Sequence, residues 1–248
     1  MQAQEIKQNQ NKYLQAQITS QRHVEFVENN MPQIENDQIL VKTIVSGISA
    51  GTEGMWFDGT ASALKSGRKS YPYFPGYELV GEVIEVGSEF ADDYKVGDKV
   101  FTMKPHAEFA VVGKNDICYK LPEGLEIENA LAIALTGTAL HAVHRSGITV
   151  GDKVAVVGLG VLGFILTQVL SNALACEVTA VTTSQDKKEL AKKLGAKNAI
   201  SADELADVAG NLKIHAAFDA SGTNSGIATA TKAVTSQGRV VAAGFYNE

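Results

Sequence analysis

The chain has 248 residues, 45% hydrophobic and 20% charged, with a formal net charge of -6. That is enough to bury one large core or two ordinary ones, and the acidic balance excludes the electrostatic footprint of a nucleic-acid or anionic-membrane binder. Two cysteines, Cys118 and Cys176, stand far apart without metal-ligand spacing, which excludes a disulfide framework and a cysteine-rich zinc lobe and reads as two buried thiols in a reducing compartment.

The opening segment, Met1 to Lys12, is rich in Gln and Asn, and no run of the chain is long enough to span a bilayer, so a soluble cytoplasmic protein is expected. From Tyr13 to about Ser46, β-forming runs such as Val24 to Val27 and Ile39 to Val45 alternate with polar breaks, which predicts antiparallel strands. Ser46 to Glu53 interrupts them with two glycines. Met55, Trp56 and Phe57 then either line a pocket or cover a barrel end. Gly59 to Ser70 reads as an exposed loop, and the two prolines of Tyr71 to Glu78 hold that stretch extended. Strands resume over Leu79 to Val86, at the Val96 to Val100 turn and over Ala107 to Val112, with His106 read as a strand residue. Ile127 to Arg145 predicts one long buried helix at the junction of two domains, 1–125 and 126–248.

Val154 to Gly163 is the most informative stretch. A short apolar run meets Gly158, Gly160 and Gly163 at Gly-x-Gly-x-x-Gly spacing and passes into a second apolar run, Phe164 to Leu174. Strand, glycine turn and helix in that order predict a dinucleotide site: the first glycine allows the tight turn, the second lets backbone approach a pyrophosphate, and the third lets helix and strand pack closely. The backbone N–H groups at the start of the helix, at Val161 and Leu162, then face the phosphates. Val178 to Thr182 supplies the second strand of a βαβ unit, Ser184 caps a helix that Gly195 ends, and Ala216 to Ala220 and Arg239 to Gly244 read as further strands.

Taken together, Ser46-Gly-Ile-Ser49 before Gly51-Thr-Glu53, Pro75-Gly-Tyr-Glu-Leu-Val-Gly81, Gly97-Asp-Lys-Val100, Leu121-Pro-Glu-Gly124, Thr138-Ala139, the glycine motif and Gly238-Arg-Val-Val241 resemble the medium-chain dehydrogenase/reductase superfamily. The resemblance implies an α/β chain with an N-terminal GroES-like β domain and a Rossmann doubly wound parallel sheet. It also implies a C-terminus truncated relative to the family, lacking the last strand and return segment. Where the family's zinc enzymes carry ligands, this chain has Ser49 or Ala50, then Tyr77, then Leu131 to Leu135 without Cys, Asp or His, so no metal residues are expected. Short stretches resemble the zinc-independent branch, with bacteriochlorophyllide dehydrogenase-like and quinone reductase-like members.

Thr182 to Ser184 stands where an NAD-preferring site places a carboxylate, and Ser184, Lys187 and Lys188 can serve a 2′-phosphate, so NADP(H) is the expected cofactor. The resemblance adds Thr138 and Gly244 to the cofactor residues. It also implies Thr52 as a hydroxyl contacting a small-molecule substrate. Tyr77 could donate a phenolic hydrogen bond to developing oxyanion charge. Glu53 and Glu78 read as braces of the loop. His141 and His144, three apart on a helix, lack a third ligand. The expected function is zinc-independent hydride transfer to or from a carbonyl, alcohol or activated alkene. A silent or fragmentary nucleotide binder and a zinc alcohol dehydrogenase are the alternatives, and a homodimer is possible only if the missing strand is not needed for it.

Overall fold

The computed structural model describes residues 11–246; the Gln- and Asn-rich residues 1–10 lie outside them. The chain divides into two compact units between Ala134 and Leu135 rather than at the expected 125/126 junction.

In the first unit, β1 (Lys12–Ser20) and β2 (His23–Asn30) form an antiparallel pair. A second sheet is built from β3 (Gln38–Ser46), β4 (Leu79–Val86), β5 (Lys99–Thr102), β6 (Phe109–Gly113) and β7 (Cys118–Lys120), in the order β6-β3-β4-β5-β7 with every neighbour antiparallel. Alternating apolar residues fill its core: Ile39, Val41, Leu79, Val83 and Val100 are completely buried. Each such side chain contributes roughly 1.5–3 kcal/mol by leaving water. Between β3 and β4 lie two short helices, α1 (Thr52–Phe57) and α2 (Ser62–Lys65), the second inside the stretch expected to be all loop.

The segment expected as one helix is two, α3 (Ile127–Ala130) and α4 (Ile133–Ser146). Turn bonds from Leu131 N–H to Glu128 and from Ala132 N–H to Asn129 separate them. Ala130, Leu131, Ile133 and Ala134 belong to a core of the first unit with Val80 and Phe101, whereas Ala139, Ala142 and Val143, further along α4, belong to a core of the second.

The second unit alternates β8 (Lys153–Val157), α5 (Val161–Gln168, continued by a π-helical turn over Val169–Ala173), β9 (Glu177–Val181), α6 (Gln185–Lys193), β10 (Asn198–Ile200), α7 (Ala202–Leu212), β11 (Ile214–Asp219), α8 (Asn224–Ala233) and β12 (Val234–Ala242). The five strands are parallel, in the order β10-β9-β8-β11-β12. Burial on both faces follows from alternation along β8. Val154 and Val156 pack with Leu166, Leu170 and Phe218, while Ala155 and Val157 pack with Leu205, Ile214 and Ala230. That is the signature of a sheet covered by helices on both sides. Among the described residues no helix is long and apolar enough to cross a membrane.

Candidate functional site

Two constellations carry chemistry, one in each unit. In the second, the turn after β8 places Gly158 at φ +87°, and a Cβ there would stand 2.7 Å from the Ser221 backbone nitrogen. A Cβ on Gly163 would lie 2.0 Å from the Gly158 carbonyl oxygen, so only glycine lets α5 start this close to the strand. Gly160 differs. Its backbone is extended, and a Cβ would meet nothing within 4 Å. Gly160 caps α5 without any side-chain hydrogen bond, and no acidic residue occupies the first turn. Val161 is exposed and Leu162 partly so. Open space at the second glycine, over a helix start whose backbone donors lack a side-chain cap, is what a diphosphate requires.

Around this cradle, Ser184 caps α6 by accepting the Lys187 N–H at 3.5 Å, and Thr182 Oγ1 accepts the Ser184 N–H at 3.3 Å. Lys187 is exposed. Lys188 is instead paired with Glu204 Oε2 at 2.8 Å, across to α7. That lysine, together with the Ser201 cap, holds the Glu204 carboxyl down to about 2. Gly244 N–H donates to the Asp219 carbonyl at 2.8 Å, and Asp219 accepts hydrogen bonds from Ser221 and Tyr246 at the end of β11. Thr138 is exposed on α4, as are His141 and His144.

The first unit holds a buried polar cluster. His106 is not in a strand as expected but in the bend before β6. Its N–H donates to the Pro75 carbonyl at 2.8 Å and its carbonyl accepts the Ala16 N–H at 2.9 Å. Gly76, at φ +112°, admits this arrangement, since a Cβ would lie 2.4 Å from the His106 nitrogen. Fixed in this way, the imidazole has its Nε2 2.8 Å from Glu53 Oε1 and its Nδ1 2.9 Å from Ser46 Oγ. Glu53 Oε2 accepts the Ser49 N–H at 2.7 Å, so this carboxylate braces the loop as expected and also grips a histidine. Pro105, just before His106, is the sequence signal for the bend, because proline interrupts a strand ladder.

Glu78 is 5% exposed, and its Oε1 has no hydrogen-bond partner among the described residues. Burial, reinforced by the Glu53 carboxylate and opposed by His106, pushes its carboxyl up to about 7. Tyr77 beside it is half-buried, and Thr52 opens α1 with its N–H 3.4 Å from Ser49 Oγ. Trp56 stacks on Tyr73, ring centroids 4.0 Å apart, so that aromatic face is covered by protein. Burial and Glu53 raise the Tyr73 phenol above its ordinary value. Cys176 is buried, but Cys118 is only partly so, against expectation. Among the described residues, no group of three or more His, Cys, Asp and Glu is arranged to hold a metal ion.

Residues 35–150 match the alcohol dehydrogenase GroES-like domain, and residues 161–248 match the zinc-binding dehydrogenase domain. The (R,R)-butanediol dehydrogenase of Bacillus subtilis (strain 168) is 32% identical over 152 residues, covering 50% of this chain and 43% of that one. The chloroplastic NADPH-dependent alkenal/one oxidoreductase of Arabidopsis thaliana is 28% identical over 234 residues, covering 86% of this chain and 56% of that one. A solved structure described as a zinc-binding dehydrogenase from Sinorhizobium meliloti 1021 bound to NADP aligns with a TM-score of 0.84 at 21% identity, covering 96% of this chain and 78% of that one, a likeness of fold. The chain spans about half the length of these two sequence relatives.

Proposed function

Because the chain belongs to the medium-chain dehydrogenase/reductase superfamily, we propose that it is an NADP(H)-dependent oxidoreductase moving a hydride to or from a carbonyl, alcohol or activated alkene, without a catalytic zinc. The observation that carries this reading is the open space at Gly160 above the uncapped start of α5. The cradle fits a dinucleotide diphosphate; the first unit's donors do not fit zinc. Tyr77 stands where the resemblance expects a histidine ligand, both Glu53 oxygens are engaged by Ser49 and His106, and Leu131 sits in an apolar core. A zinc site needs three ligands and an open position. The wording of the two loop motifs, Ser49 to Glu53 and Pro75 to Glu78, favours the branch that includes bacteriochlorophyllide dehydrogenases.

A nicotinamide cofactor held at the glycine cradle would supply the hydride. Tyr77 would donate a hydrogen bond to the oxygen where negative charge develops, and Thr52 would orient the substrate. Titrating NADPH by fluorescence and assaying hydride transfer to enones, quinones and aldehydes tests the whole reading, with metal analysis deciding on zinc. Saturable NADPH binding without any transfer would favour the silent nucleotide binder instead. Tyr77→Phe is expected to lower turnover about a hundredfold with NADPH affinity unchanged; unaltered turnover makes Tyr77 packing.

Cofactor preference rests on Ser184 and Lys187, since Lys188 already serves Glu204. Lys187→Ala is expected to weaken NADPH about tenfold through loss of one charge-assisted contact, leaving NADH binding unaltered. Equal losses for both cofactors would remove the 2′-phosphate assignment.

A further inference from the structure

We propose that Ser46, His106 and Glu53 form a proton relay whose open end, the Ser46 hydroxyl, exchanges a proton with the oxygen of a carbonyl or alcohol substrate. The proposal rests on the oxidoreductase reading and adds the group that handles the proton. Hydroxyl, imidazole and carboxylate are joined in sequence, with 2.9 Å and 2.8 Å between their heavy atoms. One end is closed: the Glu53 and His106 side chains are 6% and 13% exposed, and the second Glu53 oxygen is taken by the Ser49 N–H. Ser46, at the end of β3, is the half-exposed member.

A brace alone does not call for this arrangement. The loop is already tied by Ser49 to Glu53, and a buried ion pair is a weak source of stability compared with well-packed apolar residues. A second observation also points to a ligand. Glu78 Oε1 is buried without a hydrogen-bond partner among the described residues. Glu78 runs past the serine end of the relay, because Gly47, next to Ser46, donates its N–H to the Glu78 carbonyl at 2.7 Å. A Cβ on Gly47 would stand 2.9 Å from Glu78 Oε2. The hydroxyl of an alcohol bound beside Ser46 would donate to that orphan atom.

In the reducing direction the carbonyl carbon receives the hydride supplied by bound NADPH, and the C=O π pair moves to oxygen. That oxygen takes the Ser46 proton as the O–H bond of Ser46 breaks. Ser46 Oγ takes the Nδ1 proton of the imidazolium, leaving neutral His106 with its remaining proton on Nε2, facing Glu53. NADPH becomes NADP+, the carbonyl becomes an alcohol, and solvent later returns one proton to the pair. Oxidation runs the same steps backwards. The charged and titratable groups facing His106 are Glu53 from α1 and Glu78 at the entry to β4, beside the Ser46 hydroxyl from β3, and Glu53 also raises the Tyr73 phenol.

The test combines a spectrum of the free protein with kinetics. In 15N-histidine-labelled protein without cofactor, neutral His106, assigned by its loss in His106→Asn, is expected as the Nε2–H tautomer. The Nδ1–H tautomer overturns the relay, since Nδ1 could not then accept a proton from Ser46. With NADPH and benzaldehyde or phenanthrenequinone, Ser46→Ala is expected to lower kcat about a hundredfold while KM and NADPH affinity hold, and Ser46→Thr to restore most of it. Undiminished kcat in Ser46→Ala overturns the relay and leaves the oxidoreductase reading standing. A wild-type chain that binds NADPH yet reduces neither probe refutes the hydride-transfer reading, and the relay with it.

Discussion

A Gly160→Val chain is expected to unfold at the wild-type temperature and to bind NADPH about a hundredfold more weakly, whereas Gly163→Ala loses stability as well as binding. The two glycines sit three residues apart and face opposite constraints. At Gly160 the backbone is extended and nothing lies within 4 Å of a Cβ, so the fold accepts a side chain there and only a ligand meets it. A valine would hold a diphosphate away from the backbone donors of α5. Losing two charge-assisted hydrogen bonds of about 1.5 kcal/mol each corresponds to roughly a hundredfold. At Gly163 even a methyl group would stand 2.0 Å from the Gly158 carbonyl oxygen, a backbone atom that cannot step aside. Overpacking of this kind costs about 1–3 kcal/mol or more and pushes α5 off β8. Thermal unfolding and NADPH titration of both variants check the pair. An unchanged affinity in Gly160→Val would show that the phosphates lie elsewhere.

Glu78→Gln is expected to remove a pH dependence of stability. The folded-state value of the carboxyl, about 7, lies above the ordinary 4.5, so between these values the folded chain binds more protons than the unfolded one. Stability therefore falls as pH rises from about 4.5 to about 7 and levels off above it, because a buried carboxyl, whose Oε1 has no hydrogen-bond partner among the described residues, must ionise. The shift corresponds to at most about 3 kcal/mol, a large part of the stability of an ordinary domain. The glutamine variant stays neutral, so it should lie nearest wild type near pH 4 and exceed it at pH 8. Urea denaturation at both pH values gives the result. Parallel losses in the two proteins would place the titrating group elsewhere.

The sequence by itself determined the first half of the second unit, while β10 and the start of β12 at Val234 went unread. A short apolar run over Val154 to Val157, a glycine triplet at fixed spacing and a serine before an amphipathic helix are local patterns, and each is enforced by sterics within a few residues. They placed β8, the start of α5, β9 and the Ser184 cap close to where they stand. Tertiary structure alone decided the polar cluster of the first unit. His106 meets partners 53 and 60 residues away, and a hydrogen bond across such a separation leaves no periodic trace, so the histidine reads from sequence as one more strand residue. Lys188 shows the same limit, since its charge looks available until α7 brings Glu204 to it. Local order follows from the covalent geometry of neighbouring residues, while the pairing of buried charges waits on which distant segments the packed chain brings together.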